Sequence, residues 1–185
     1  MKNLVKGEIV YPGIVSYKNV VLDCKKIISK SLDEFKIEDA RVGSFSEVND
    51  SIRKNDVIEL LPSYKNDIYW FSLAKLIWSY GDRYADDHQT EFSNMETPQL
   101  LRYKEKKDFY ISHTDSSARN PRIFSCLLYL NDVELGGETH FDKIDLSIKP
   151  EAGKLIFFPA NYIYSHEARS PEIGEKFVVV TWFNP

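Results

Sequence analysis

The sequence predicts a mainly β fold, a double-sheet jelly roll with supporting α-helices packed on one sheet. Three observations lead there. From Leu100 onward about eight short apolar runs follow one another at close spacing, separated by turn residues. Upstream, two stretches instead repeat apolar residues at offsets of three and four. The 14% aromatic content, with 11 Tyr and 11 Phe, suits strands and aromatic-walled pockets.

Taken in order, Gly7 to Tyr17 alternates around Pro12-Gly13 and reads as strand, turn, strand. Val20 to Phe35 carries Val20, Val21, Cys24, Ile27, Ile28, Leu32 and Phe35 on one helical face, with Lys25, Lys26, Lys30 and Asp33 on the wet side. Residues 36–61 are polar and irregular, with Val57 to Leu61 a strand or the lead-in to a helix. Pro62-Ser63 opens the second helix, Ser63 serving as N-cap, and Tyr69, Leu73, Leu76, Ile77, Tyr80 and Tyr84 mark its apolar face. His88 falls in a polar segment and reads as a solvated loop residue.

The strands expected after that are Leu100–Tyr103, Phe109–His113, Arg122–Leu130, Thr139–Phe141, Ile144–Ile148, Lys154–Phe158, Tyr162–His166 and Lys176–Phe183. Gly136-Gly137, Pro150 to Gly153 and Pro171 to Gly174 supply the turns. No repeat or linker interrupts the chain. One domain is expected over 1–185, with residues 1–95 as N-terminal strands and supporting helices and 96–185 as the catalytic core.

Composition narrows the class. A chain that is 43% apolar and 28% charged is ordinary for a soluble globular protein. Its net charge of −4 argues against nucleic acid as a partner, because such binders usually carry a basic face. No run approaches the roughly 18 apolar residues that span a bilayer, so no membrane partner is expected. Cys24 and Cys126 lack a C-x-x-C pattern and read as reduced, buried thiols. With no long apolar stretch near the start, the cytoplasm is the expected location.

The chemistry centres on His113-Thr114-Asp115. On a strand, residues two apart leave the same face. With a distant His166, the set offers two imidazoles and a carboxylate, which can occupy one face of an octahedral metal and leave the rest open. That pattern favours Fe(II) with a cosubstrate and O2. Asp115 also fills the place a halide ligand would need, so hydroxylation is favoured over halogenation. Ten residues after His166, alternation puts Lys176, Val178, Val180 and Trp182 on one face. An ammonium among apolar neighbours is costly unless an anion meets it or it reaches water. The far carboxylate of a dicarboxylate cosubstrate is such an anion. His140 alternates outward between Thr139 and Phe141 and reads as an exposed strand residue.

The ordered set Tyr103, His113-Thr-Asp115, Arg122, Tyr129-Leu-Asn131, Gly136-Gly-Glu-Thr139, Pro150 to Gly153, His166 and Lys176 resembles the prolyl 4-hydroxylase-like 2-oxoglutarate/Fe(II) dioxygenases, over roughly residues 100–183. The resemblance implies a double-stranded β-helix core with iron on His113, Asp115 and His166. It implies Lys176 on the 2-oxoglutarate C5 carboxylate, with Tyr103 and Thr139 donating nearby. It also implies O2 as co-reactant, ascorbate as a reductant, release of succinate and CO2, and a peptide substrate that contains proline. Two departures stand out. Residues 104–108 lack the family's usual glycine and run one residue longer, which leaves Tyr110 as an alternative to Tyr103. The long substrate-binding insertions of the larger animal enzymes are missing.

Around the site, Arg122 either engages substrate or braces the metal strand, and Trp182 is either a substrate contact or a core aromatic. Residues 116–121 form either a lid or a plain solvated turn. Three other functions compete: the same chemistry on a small molecule or another side chain, nucleic-acid dealkylation, and a non-catalytic binding module of the same fold. Dealkylases of this fold anchor 2-oxoglutarate with arginine, where this chain has Lys176.

Overall fold

The strand at the end of the chain organises the structure, a computed structural model that describes residues 4–42, 47–60 and 67–185. Along Lys176–Asn184 every second residue turns to the same side, and the two sides meet different partners. Val178, Val180 and Trp182 pack with Leu127, Tyr129, Ile156, Phe158, Phe141 and Ile148 in a core between two sheets. Val179 and Phe183 pack on the opposite side with Leu128, Leu155 and Phe157, against the helical residues Ile27, Leu73, Ile77 and Tyr84. One strand buried on both faces therefore anchors two apolar layers.

In chain order the strands begin with β1 (Glu8–Tyr11), β2 (Ile14–Tyr17), β3 (Glu38–Asp39), β4 (Arg53–Lys54) and β5 (Asp56–Glu59). They continue with β6 (Asn94–Met95), β7 (Gln99–Tyr103), β8 (Phe109–His113), β9 (Phe124–Tyr129), β10 (Leu135–Gly136) and β11 (Thr139–Phe141). The last are β12 (Leu146–Ile148), β13 (Leu155–Pro159), β14 (His166–Ala168), β15 (Pro171–Ile173) and β16 (Lys176–Asn184). The helices are α1 (Cys24–Glu34) and α2 (Ile68–Asp87). The large sheet runs β1-β2-β13-β9-β16-β7-β5-β3, with β6 beside β16. The small sheet runs β12-β11-β14-β8-β4, and β10 pairs β15. Two antiparallel sheets over a shared core make the expected jelly roll, with both helices on the outer face of the large sheet.

The helices start on carboxylates. Asp23 accepts from Lys26 N at 3.2 Å and Asp67 from Tyr69 N at 3.0 Å, each satisfying an orphan N–H of the first turn. The first helix thus begins at Cys24, not Val20. The expected N-cap Ser63 lies outside the described residues. α2 sits close to the sheet because it carries Gly81 there. A Cβ at that position would stand 2.5 Å from Phe183 Cε1, so only glycine admits this approach.

Several expected elements differ. The stretch read as irregular after residue 36 contains β3 and β4, and of the two alternatives for Val57 onward the strand is found, as β5; the three join both sheets through β7 and β8. Their short pairings come from distant partners, which a local pattern does not reveal. Tyr162–His166, expected as a strand, is a 3-10 turn over Tyr162–Tyr164 followed by β14. Asn161 makes the turn by accepting from Ile163 N. Pro171–Ile173, read as a turn, is the strand β15. The strand expected from Ile144 begins at Leu146, because Asp145 takes a left-handed φ of 49° in the preceding turn. Lys106, in the turn before β8, adopts a left-handed φ of 55°.

Candidate active site

The site forms where the two sheets open at one end. β8 delivers His113 and β14 delivers His166, and the two are directly paired across the small sheet. Asp115 follows β8 by two residues. Ligand atoms of the three side chains lie within 4.8 Å of one another.

Each imidazole has a defined tautomer. His113 Nδ1 lies 2.9 Å from the Ile111 carbonyl and His166 Nδ1 lies 3.1 Å from the Tyr164 carbonyl. A carbonyl oxygen can only accept, so both Nδ1 atoms carry hydrogen, and Nε2 is the atom of each ring left to meet a metal. Those Nε2 atoms face Asp115, at 3.4 Å from Oδ1 for His113 and 3.8 Å from Oδ2 for His166. Burial, reinforced by the nearby His113, pushes the His166 imidazole down to about 4, so it is neutral at pH 7. Burial alone would raise the Asp115 carboxyl. The two histidines and the Ser125 hydroxyl outweigh it and hold the group far below the usual carboxylate range. The result is a buried anion facing the Nε2 atoms of two histidines.

Outer contacts hold these ligands in place. Tyr110 stacks on His113 with ring centres 3.5 Å apart, and the Arg53 guanidinium covers the other face of Tyr110 at 4.8 Å. Phe141 and Phe158 enclose His166. Asp142 accepts from Ser112 Oγ and Ser165 Oγ, each at 2.9 Å, and so links the residues that precede the two histidines.

Lys176 lies deeper, only 1% exposed. It does not reach water: its Nζ donates to the Gly137 carbonyl at 2.9 Å and sits 4.2 Å from the centre of the Tyr103 ring. Gly137 presents that carbonyl from a left-handed turn (φ 76°) that β-carbon-bearing residues rarely adopt. Desolvation pushes the Lys176 amine down to about 7, with Glu138 partly opposing. Tyr129 donates to Thr139 Oγ1 at 2.8 Å.

In front of the triad is a cavity of about 660 Å³, within the range of small-ligand sites. Tyr110, Arg122 and Trp182 line it beside His113 and Asp115, as do Ser117 and Asn120 of the loop after β8. Val57, Glu59, Glu38 and Arg53 form its far wall. Arg122 makes a two-pronged ion pair with Glu96, both contacts 2.7 Å. It also donates to the Asp115 carbonyl at 3.4 Å and covers Trp182 at 3.6 Å. It therefore braces the metal strand while lining the cavity. Among the described residues, Trp182 Nε1 is buried without a hydrogen-bond partner.

The donor set suits a hard-to-borderline divalent ion with open positions, and the buried amine beyond it suits an anion. Residues 98–184 match the family model described as the 2OG-Fe(II) oxygenase superfamily. That match covers just under half of the chain. Fe(II), 2-oxoglutarate and O2 are the family's reagents, and the His-Asp-His set fits the first of them. Over 112 residues the chain is 32% identical to the "Putative prolyl 4-hydroxylase" of Acanthamoeba polyphaga mimivirus, covering 50% of this chain and 46% of that one. The chain thus spans about half the length of that relative. Among solved structures, the viral collagen prolyl hydroxylase of Paramecium Bursaria Chlorella virus-1, a 2OG complex, aligns with a TM-score of 0.70 at 21% identity. That alignment covers 92% of this chain and 95% of the other. A prolyl hydroxylase from Trichoplax adhaerens, in complex with a hypoxia inducible factor peptide fragment, aligns at 0.73 and 17% identity, covering 93% and 83%. At such identities the likeness is one of fold.

Of the residues singled out from the sequence, His113, Asp115 and His166 converge, Tyr110, Arg122 and Trp182 line the cavity, Lys176 lies over Tyr103, and Thr139 accepts from Tyr129. Tyr103 is buried under Lys176, whereas Tyr110 belongs to the metal side. His140 is half-buried on the small sheet and bonded to Ser147, away from the triad. Sequence reasoning passed over Ser125, whose Oγ donates to Asp115 Oδ2 at 2.6 Å. Its signal was a lone hydroxyl in phase with Leu127 and Tyr129 on an apolar strand. Glu96 and Asp142 gave no such signal, since both act from outside regular alternation.

Proposed function

We propose that this chain is a 2-oxoglutarate- and Fe(II)-dependent dioxygenase that hydroxylates a prolyl C–H bond in a peptide. The observation that carries this reading is the convergence of two imidazoles and one ionised carboxylate, of which His113 and Asp115 line an open cavity, in a chain that also buries the amine of Lys176. The relatives named as prolyl hydroxylases, one bound to a peptide, support the substrate class.

When bound, Fe(II) and 2-oxoglutarate supply the oxidising power for C–H hydroxylation, with succinate and CO2 as co-products. The chain's own residues do the rest. His113, Asp115 and His166 would hold the iron, their orientation set by the Ile111 and Tyr164 carbonyls and by Ser125. Lys176 would meet the far carboxylate of 2-oxoglutarate, beside Tyr103 and Thr139. Val178 and Val180 keep water from that end of the site. Tyr110 and Trp182 offer aromatic walls to a prolyl ring.

The N-terminal β3, β4 and β5 complete both sheets around the cavity, which supports residues 1–185 acting as one catalytic unit. Two free, buried cysteines support a reducing, cytoplasmic setting. The test is mass spectrometry of proline-rich peptides for a product heavier by one oxygen, run beside succinate release. Succinate release that no peptide stimulates, together with oxygenation of a small molecule, would replace the peptide substrate. No succinate under any condition would remove the enzyme reading.

A further inference from the structure

The two oxygens of Asp115 are treated differently by their neighbours. Oδ2 accepts the Ser125 hydroxyl at 2.6 Å and lies 3.8 Å from His166 Nε2, while Oδ1 has no hydroxyl bound to it among the described residues and faces His113 Nε2 at the shorter 3.4 Å. Ser125 is fully buried on β9 of the large sheet, whereas Asp115 follows β8 of the small sheet. The bond therefore ties the carboxylate to the sheet opposite its own strand. A hydroxyl donating to an ionised oxygen makes a short, charge-assisted bond, which fixes the carboxylate plane.

That constraint matters for counting positions. A carboxylate can ligate through one oxygen or through both. Two histidines and one carboxylate oxygen leave half of an octahedral sphere open, and a second oxygen from Asp115 would take one of the open positions. We propose that Ser125 is a positioning residue that engages Asp115 Oδ2 so that Asp115 ligates through Oδ1 alone, keeping open a position the cosubstrate needs. This rests on the reading of the site as an Fe(II)/2-oxoglutarate centre.

The experiment uses the whole chain loaded with Co(II), whose visible absorption reports coordination, titrated with 2-oxoglutarate. Ser125→Ala is expected to bind Co(II) at least as tightly as the wild type, with an altered absorption spectrum. Its affinity for 2-oxoglutarate is expected to fall about tenfold or more, the usual scale for losing an outer-shell partner. Ser125→Thr keeps the hydroxyl and is expected to restore both the spectrum and the affinity. A residue that only packs would change the melting temperature and leave both readouts alone. A wild-type response to 2-oxoglutarate that Ser125→Ala reproduces in spectrum and affinity overturns the inference by itself. A wild-type Co(II) protein that shows no response to 2-oxoglutarate removes the functional reading, and this inference with it.

Discussion

Lys176 makes the proposed cosubstrate site sensitive to pH, and the size of the effect follows from its surroundings. The amine is 1% exposed, with one carbonyl and one aromatic ring for company, and is pushed from 10.5 down to about 7. At about pH 8 roughly one amine in ten is protonated in the cosubstrate-free protein. A carboxylate arriving beside it favours the charged form, so binding must take up close to one proton. Affinity for 2-oxoglutarate is then expected to be flat below pH 7 and to weaken about tenfold per pH unit above it. Titration calorimetry of the Mn(II)-loaded protein, in buffers of differing ionisation enthalpy, counts the protons directly. Lys176→Met should lose about 2–5 kcal/mol of affinity at low pH and show no pH slope. Its stability without cosubstrate should run the other way. In the wild type the folded amine resists its proton while the unfolded one keeps it, so stability rises between pH 7 and 10.5. Below pH 7 the penalty is present in full, on the order of 5 kcal/mol at most, and Lys176→Met escapes it. Zero proton uptake with pH-independent affinity would refute the pairing of Lys176 with an anion.

Three further outcomes are expected. His166→Ala should abolish iron binding, measured by metal analysis, while circular dichroism shows the fold retained; equal iron content in both proteins would take His166 out of the site. Asp142→Ala removes the acceptor shared by Ser112 and Ser165, and should weaken metal affinity about tenfold with a small change in melting temperature. Unchanged metal affinity would reduce Asp142 to a surface link. Gly81→Ala places a Cβ against the Phe183 ring and should destabilise the fold by about 1–3 kcal/mol in denaturant unfolding, whereas an exposed helix glycine replaced by alanine would stabilise it.

How far the sequence could be read depended on the range of the forces involved. β8 and β11 fall at their expected bounds, and β16 runs one residue beyond its expected end, because alternation and flanking turns specify them locally. His113, His166 and Lys176 lie on strands, where alternation gives each a phase, while Asp115 follows β8 by two residues. By contrast β3 and β4 are two-residue strands whose partners lie elsewhere in the chain, and neither has a pattern of its own. The outer-shell contacts were hidden likewise. Ser125 meets Asp115 across the gap between sheets, and Asp142 meets Ser165 across 23 residues of chain.

The site's two tasks are divided between the sheets, and this division explains why both must keep their register. The metal ligands come from or follow the small sheet, on β8 and β14, while Lys176 and Ser125 stand on β16 and β9 of the large one. A one-residue slip of β16 would exchange Lys176, Val178 and Val180 for Phe177 and Val179, placing the amine against the helices and an aromatic in the cosubstrate end. The register is therefore held from both sides of β16, by five residue pairs with β7 and six with β9. The helix layer adds to this through Phe183 under Gly81, since a slipped strand could not fill that contact. On this argument Gly81, far from the triad, shares responsibility for placing Lys176. A Gly81 variant that stays folded should accordingly lose cosubstrate affinity more than metal affinity, because the metal ligands depend on the other sheet. Equal losses of the two affinities would mean that the sheets move as one body and that the division is only geometric.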